Sequence, residues 1–254
     1  MASTNVILTW RERSILRVQN WIGWLSFPIW GSAVIAVMRW QFGYRVDNLA
    51  EVRQRYEQIV ESATGPILLC VNHLTKFDSV ILNWSLASLW SYFFNFDKFS
   101  WNMPEQKRYR GHPLYHPLCY LGQCFPIERG GSRESVKKSM DKVKYLLRKG
   151  HIVTLFPEGR RSDTGRIDTE GYSYGAGRLI SQLENCTAVC VYLRGHNQKG
   201  SSSHPPRGAR FQVKLDAFQP TSVHMGLRAS RDIAAQVIEK MNQMETAYFA
   251  ACGQ

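Results

Sequence analysis

His73 and Asp78 stand five residues apart in Asn72-His73-Leu74-Thr75-Lys76-Phe77-Asp78. In a regular helix that spacing separates two side chains by about 140°, and in a strand it sends them to opposite faces. Only a strand-to-helix turn folds the aspartate back onto the histidine. So joined, the carboxylate fixes the imidazole tautomer and supports the imidazolium that forms when the other nitrogen takes a proton. That is equipment for deprotonating a hydroxyl. Of the seven histidines, only His73 has an acid at the fifth position. By itself H-x-x-x-x-D is a weak signal, since a loop histidine beside a chance aspartate gives the same string.

Two further polar clusters have chemical potential. In Phe125-Pro126-Ile127-Glu128-Arg129-Gly130-Gly131, the planar fork of Arg129 suits phosphate oxygens, although a surface arginine at a turn reads the same way. In Phe156-Pro157-Glu158-Gly159-Arg160-Arg161-Ser162, Gly159 lets the backbone approach a ligand and the paired arginines add positive potential. Glu158 among those arginines is expected to be ionised, ordering them or accepting a hydrogen bond from substrate.

Elements that could hold these clusters alternate beyond residue 60. Residues 66–71 (P-I-L-L-C-V) read as a buried strand and 79–94 as an apolar helix. Residues 123–127 read as a second strand, followed by a helix at 135–149 with Val136, Met140, Val143 and Leu147 at helical spacing. Strands follow at 151–156 and 187–193, with a helix at 176–183 between them and an edge strand at 211–215. Residues 200–208 (G-S-S-S-H-P-P-R-G) read as a loop. Ser230 is expected to cap a final helix that buries Ile233, Val237, Met241 and Met244. This order predicts an α/β fold with a mixed, largely parallel sheet flanked by helices. Each of the three clusters directly follows an expected strand, where ligands of such sheets bind.

Residues 18–38 carry no charge and hold Trp21, Trp24 and Trp30, with Arg11, Arg13 and Arg17 before them and Arg39 and Arg45 after. Their length reaches the lower range for a membrane span, while Pro28 and Gly31 predict a break. A broken helix or hairpin dipping into one leaflet suits both basic flanks, and a buried core helix is the plainer alternative. The net charge is +12, of which residues 101–166 hold +8 (14 Lys and Arg against 6 Asp and Glu). Such a balance attracts nucleic acid, anionic membrane or phosphorylated substrate. Six cysteines without a C-x-x-C pair suit a reducing compartment and give no zinc-site pattern.

In order along the chain, the three clusters resemble the glycerophospholipid acyltransferases, the lysophosphatidate acyltransferase-like family. Its first motif, N-H-x-x-x-x-D, is matched by Asn72, His73 and Asp78. Its third, F-P-E-G-T-R-S, is matched by Phe156, Pro157, Glu158, Gly159, Arg161 and Ser162, with Arg160 in place of the threonine. Arg129 corresponds to the arginine of the second. The resemblance covers roughly residues 65–195. It implies an N-terminal membrane-associating helical segment (1–50) and an acyltransferase domain (51–254). It also implies transfer of a fatty-acyl group from acyl-CoA or acyl-carrier-protein to a lyso-lipid hydroxyl, with 1-acylglycerol-3-phosphate the default acceptor and phosphatidate the product. His73 would be the general base, oriented by Asp78, and Arg129, Glu158, Gly159 and Arg161 would bind the acceptor phosphate. No metal or cofactor is implied beyond the acyl donor. The expected partners are an anionic membrane surface, the lyso-lipid and, depending on donor, acyl-carrier-protein, at the cytoplasmic face of a membrane. The surplus positive charge then holds the enzyme against anionic lipid.

Two rival readings follow from other features. Gly171-Tyr172-Ser173-Tyr174-Gly175 matches the G-x-S-x-G of serine hydrolases, but the polar stretch before it lacks the strand a nucleophile elbow needs. A non-enzymatic basic nucleic-acid or membrane-surface protein fits the charge and the 12% aromatic content. Yet the aromatics gather in apolar runs away from the densest Lys and Arg, and a nucleic-acid motif is lacking, so nucleic acid is not an expected partner.

Overall fold

The computed structural model of the protein describes residues 8–106, 115–128 and 130–251. Within them five strands form one sheet: β1 (Arg45–Val46), β2 (Ile67–Val71), β3 (Val153–Leu155), β4 (Thr187–Gly195) and β5 (Arg210–Phe218), in the order β1-β5-β4-β2-β3. β2 pairs in parallel with β3 and β4, β1 pairs in parallel with β5, and β4 and β5 run antiparallel. The sheet is mixed and largely parallel, as the alternation of elements predicts.

β2 and β4 are buried along their whole length because both faces of the sheet are covered. Their side chains alternate between two cores. Leu68 and Cys70 of β2, with Ala188, Cys190 and Tyr192 of β4, join helices α6 (Arg133–Arg148), α7 (Gly175–Ile180) and α8 (Gly226–Ala251) on one face. Ile67, Leu69 and Val71, with Val189, Val191 and Leu193, join α2 (Leu49–Ser62) and α3 (Asp78–Leu86) on the other. Gly177 of α7 lets α8 approach closely, for an added Cβ would clash with the Ser230 carbonyl oxygen.

The expected edge strand at 211–215 lies inside the sheet, since β5 pairs with β1 as well as β4; four other expectations differ from the structure. Residues 79–94 form two helices, α3 and α4 (Leu89–Phe94), because Ala87 is extended and Ser88 caps the second by accepting from Ser91 N–H. Residues 123–127 do not form a ladder strand; Cys124 and Ile127 make isolated bridges to Asn102 and Glu105, beside the short α5 (Tyr115–Leu121). Ser230 is not a cap: α8 begins at Gly226, and the Ser230 hydroxyl donates to the Gly226 carbonyl within the helix.

The fourth difference is the N-terminal helix, which does not break at Pro28 or Gly31. α1 (Trp10–Ala36) opens on a capping box between Thr9 and Glu12 and runs on through a π-helical turn (Val37–Gln41). Pro28 removes one intrahelical hydrogen bond. Packing offsets that loss: Phe27 is buried against Tyr92, Phe96 and Phe99, and Gly31 lets Leu89 approach. The helix Trp10–Gln41 is long and apolar enough to cross a membrane by length and composition, and is a candidate membrane-associating segment. Its buried stripe of Leu16, Gln19, Gly23, Phe27 and Gly31 recurs every three or four residues and lies against the domain. Trp10, Trp21, Leu25, Ile29 and Trp40 face outward, Trp40 with 85% of its surface exposed.

Candidate active site

The site is assembled where β2 ends. Asn72 extends the β2–β4 pairing with its side chain, Nδ2 donating to the Leu193 carbonyl (3.0 Å) and Oδ1 accepting from Leu193 N–H (2.7 Å). With Asn72 fixed, the chain turns sharply and enters α3 at Asp78, whose carboxylate suits a helix N-terminus. Asp78 Oδ2 lies 2.9 Å from His73 Nδ1 and also accepts from Leu74 N–H (2.7 Å) and Thr75 N–H (2.8 Å). Its Oδ1 accepts from the Thr75 hydroxyl at 2.6 Å. Four donors therefore converge on one buried carboxylate. A carboxylate only accepts, so Nδ1 of His73 carries the proton and Nε2 is the basic nitrogen. Sequence reading missed Thr75; a hydroxyl three residues before an acidic helix start is the signal that could have found it.

The third cluster underpins the first. Glu158 Oε1 accepts from His73 N–H (3.0 Å), Ser162 N–H donates to the His73 carbonyl (3.0 Å), and Phe156 stacks on the imidazole with ring centroids 4.2 Å apart. The main chain of His73 is thus held between two residues of the Phe156–Ser162 turn. Glu158 does not stand among the arginines. It is 2% exposed beneath His73, and its second oxygen finds no hydrogen bond of normal geometry among the described residues. Burial pushes its pKa up to about 7, against the weaker opposing pull of the His73 and Asp168 backbone N–H groups. Gly159 adopts φ +71°, with its N–H donating to the Phe156 carbonyl, so the residue makes a tight turn that a Cβ would strain.

A cavity of about 1140 Å³ opens at His73. The polar side chains lining the cavity include Lys76, Arg160, Arg161, Asp163 and His204. Arg160 pairs with Asp168 (3.2 Å) and Arg161 donates to the Ser202 carbonyl (3.2 Å). The rest of the lining is chiefly apolar and includes Phe27, Trp30 and Val34 of α1, Met38 of the π-helical turn, Trp84, Leu89 and Tyr92 of α3 and α4, and Leu118 of α5. Of the expected site residues, His73, Asp78, Glu158, Gly159 and Arg161 come together; His73 and Arg161 face the cavity, while Glu158 and Gly159 do not line it. Arg129 lies outside the described residues, as does the basic stretch 107–110. Lys76 and His204 were not singled out from the sequence, because nothing local distinguishes them. Ser173 sits in the irregular segment before α7, without a preceding strand.

A basic nitrogen beside a large, mostly apolar cavity, with cationic side chains around it, can activate a hydroxyl next to an anionic group while a hydrocarbon chain is kept from water. No curated protein shows a match to this chain. A family model described as Acyltransferase matches residues 44–194, more than half of the 254 residues and a span containing both the His73–Asp78 turn and the Phe156–Ser162 turn. The chain belongs to the Acyltransferase family.

Proposed function

We propose that the protein transfers a fatty-acyl group from acyl-CoA or acyl-carrier-protein to a lyso-lipid hydroxyl, with 1-acylglycerol-3-phosphate as acceptor and phosphatidate as product. The observation that carries this reading is the placement of His73, paired with Asp78, in the wall of a chiefly apolar cavity whose lining includes Lys76, Arg160, Arg161 and His204. His73 Nε2 takes the proton of the acceptor hydroxyl as its oxygen attacks the thioester carbonyl. The C–S bond breaks, and the leaving thiolate takes up the proton from the imidazolium. Asp78 holds the ring and offsets the transient positive charge. Glu158 and Ser162 act through the His73 backbone, and Arg161, with Arg129, binds the acceptor phosphate.

The enzyme works on the surface of an anionic membrane at its cytoplasmic face. α1 is tethered along its length: Glu12 pairs with Lys138 at 2.7 Å, and Gln19 donates to the Tyr120 and Cys124 carbonyls. The Trp24 indole donates to the Phe93 carbonyl, and Met38 is buried in the core. A helix so anchored supports lying in one leaflet, with its outward tryptophans at the headgroup level.

The test is transfer from radiolabelled long-chain acyl-CoA, and separately from acyl-carrier-protein, to a panel of lyso-lipids. The wild type should label phosphatidate, and His73→Ala should lower kcat by about 10³-fold, within the range of lost general-base catalysis. Retained activity in His73→Ala, or no transfer from either donor, would overturn the reading.

A further inference from the structure

The connection between β4 and β5, residues 196–209, is far longer than the roughly two to five residues that join antiparallel neighbours. It does not turn straight back but crosses to the catalytic turn. Ser202 N–H donates to the Leu74 carbonyl (3.0 Å), and the Ser203 carbonyl accepts from Lys76 N–H (3.3 Å). The Ser202 carbonyl also receives Arg161 Nη1, and the Tyr44 hydroxyl donates to the Pro205 carbonyl (2.9 Å). These bonds hold the loop on both the His73 turn and the Phe156–Ser162 turn, and they bring Ser201 and His204 into the wall of the cavity that contains His73. The His204 ring leans on Phe77, 5.4 Å away, which places an imidazole on the same side as Lys76. The loop lies beyond residue 194, where the family match ends.

We propose that this β4–β5 loop is the acceptor-recognition wall of the enzyme, and that His204, with Lys76, donates hydrogen bonds to the anionic headgroup of the acceptor, beside the arginines. Resting on the acyl-transfer reading above, the proposal names residues that select the substrate rather than activate it. A phosphomonoester offers several oxygens and up to two negative charges, enough to accept from several donors at once.

Steady-state kinetics with 1-acylglycerol-3-phosphate and acyl-CoA separate the roles. In His204→Ala, KM for the acceptor should rise about tenfold, with kcat within about twofold and KM for acyl-CoA unchanged. His204→Lys should keep the acceptor KM within about threefold of wild type, because a donor to the phosphate is retained. An acceptor KM that does not move, or that rises in step with the KM for the donor, which is anionic too, would overturn this inference alone. A wild-type chain that acylates only uncharged lyso-lipids would overturn it too. Absence of transfer by the wild type would instead remove the acyl-transfer reading itself.

Discussion

Glu158→Gln should make the folded protein more stable at alkaline pH. Burial raises the Glu158 carboxyl from 4.5 to about 7, so between those values the folded state holds a proton that the unfolded state has released. Stability from this group is therefore complete below about pH 4.5 and is lost as pH rises through 7. At about 1.4 kcal/mol per pH unit, the interval amounts to about 3 kcal/mol of destabilisation once both states are ionised. Glutamine has the shape of the protonated acid, keeps an oxygen for His73 N–H, and never charges. Urea unfolding of both proteins at pH 5 and pH 8, in one detergent, measures the difference. The variant should gain about 2 kcal/mol or more on the wild type between those two conditions. An advantage that stays constant with pH, or a larger loss for the variant at pH 8, would refute the idea that a desolvated carboxyl lies under His73.

Two other expectations concern packing and the membrane. Gly177→Ala drives a methyl group into the Ser230 carbonyl at the α7–α8 crossing; it should cost about 2–3 kcal/mol and lower Tm by roughly 5–10 °C, and an unchanged thermal transition would show that the crossing is looser than described. Replacing exposed Trp21 and Trp40 together by Ala should weaken binding to anionic vesicles about tenfold or more without moving Tm in detergent. Undiminished vesicle binding would mean that another face meets the bilayer.

How far the sequence carries depends on how local each signal is. The His73–Asp78 turn was legible because its geometry is solved within seven residues, and strands β2 and β4 because a strand buried on both faces is an uninterrupted apolar run. Residues 79–94 read as one helix since the apolar pattern passes through Ala87 without a helix breaker. Pro28 and Gly31 suggested a break that the aromatic cluster around Phe27 prevents, an effect of tertiary packing invisible along the chain. The depth of Glu158 was hidden for the same reason: its sequence neighbours are arginines, but its neighbour in space is the backbone of His73. His204 reaches the site through a loop whose composition says only that it is a loop.

The wall that α1 lends to the cavity makes the candidate membrane-associating helix and the pocket a single part. A soluble version of this enzyme cannot be obtained by trimming the N-terminal helix, as one would remove a hydrophobic leader, because Phe27, Trp30, Val34 and Met38 would leave with it and one side of the chamber would open to water. Exchanging the helix for a foreign anchor would fail likewise. Solubility has to be engineered on the outward stripe, at Trp10, Trp21, Leu25, Ile29 and Trp40, with the inward stripe left as it stands. By the same coupling, drift in the inward residues of α1 changes the shape of the chamber, so a substitution that looks like a change of membrane anchor is also a change of substrate fit.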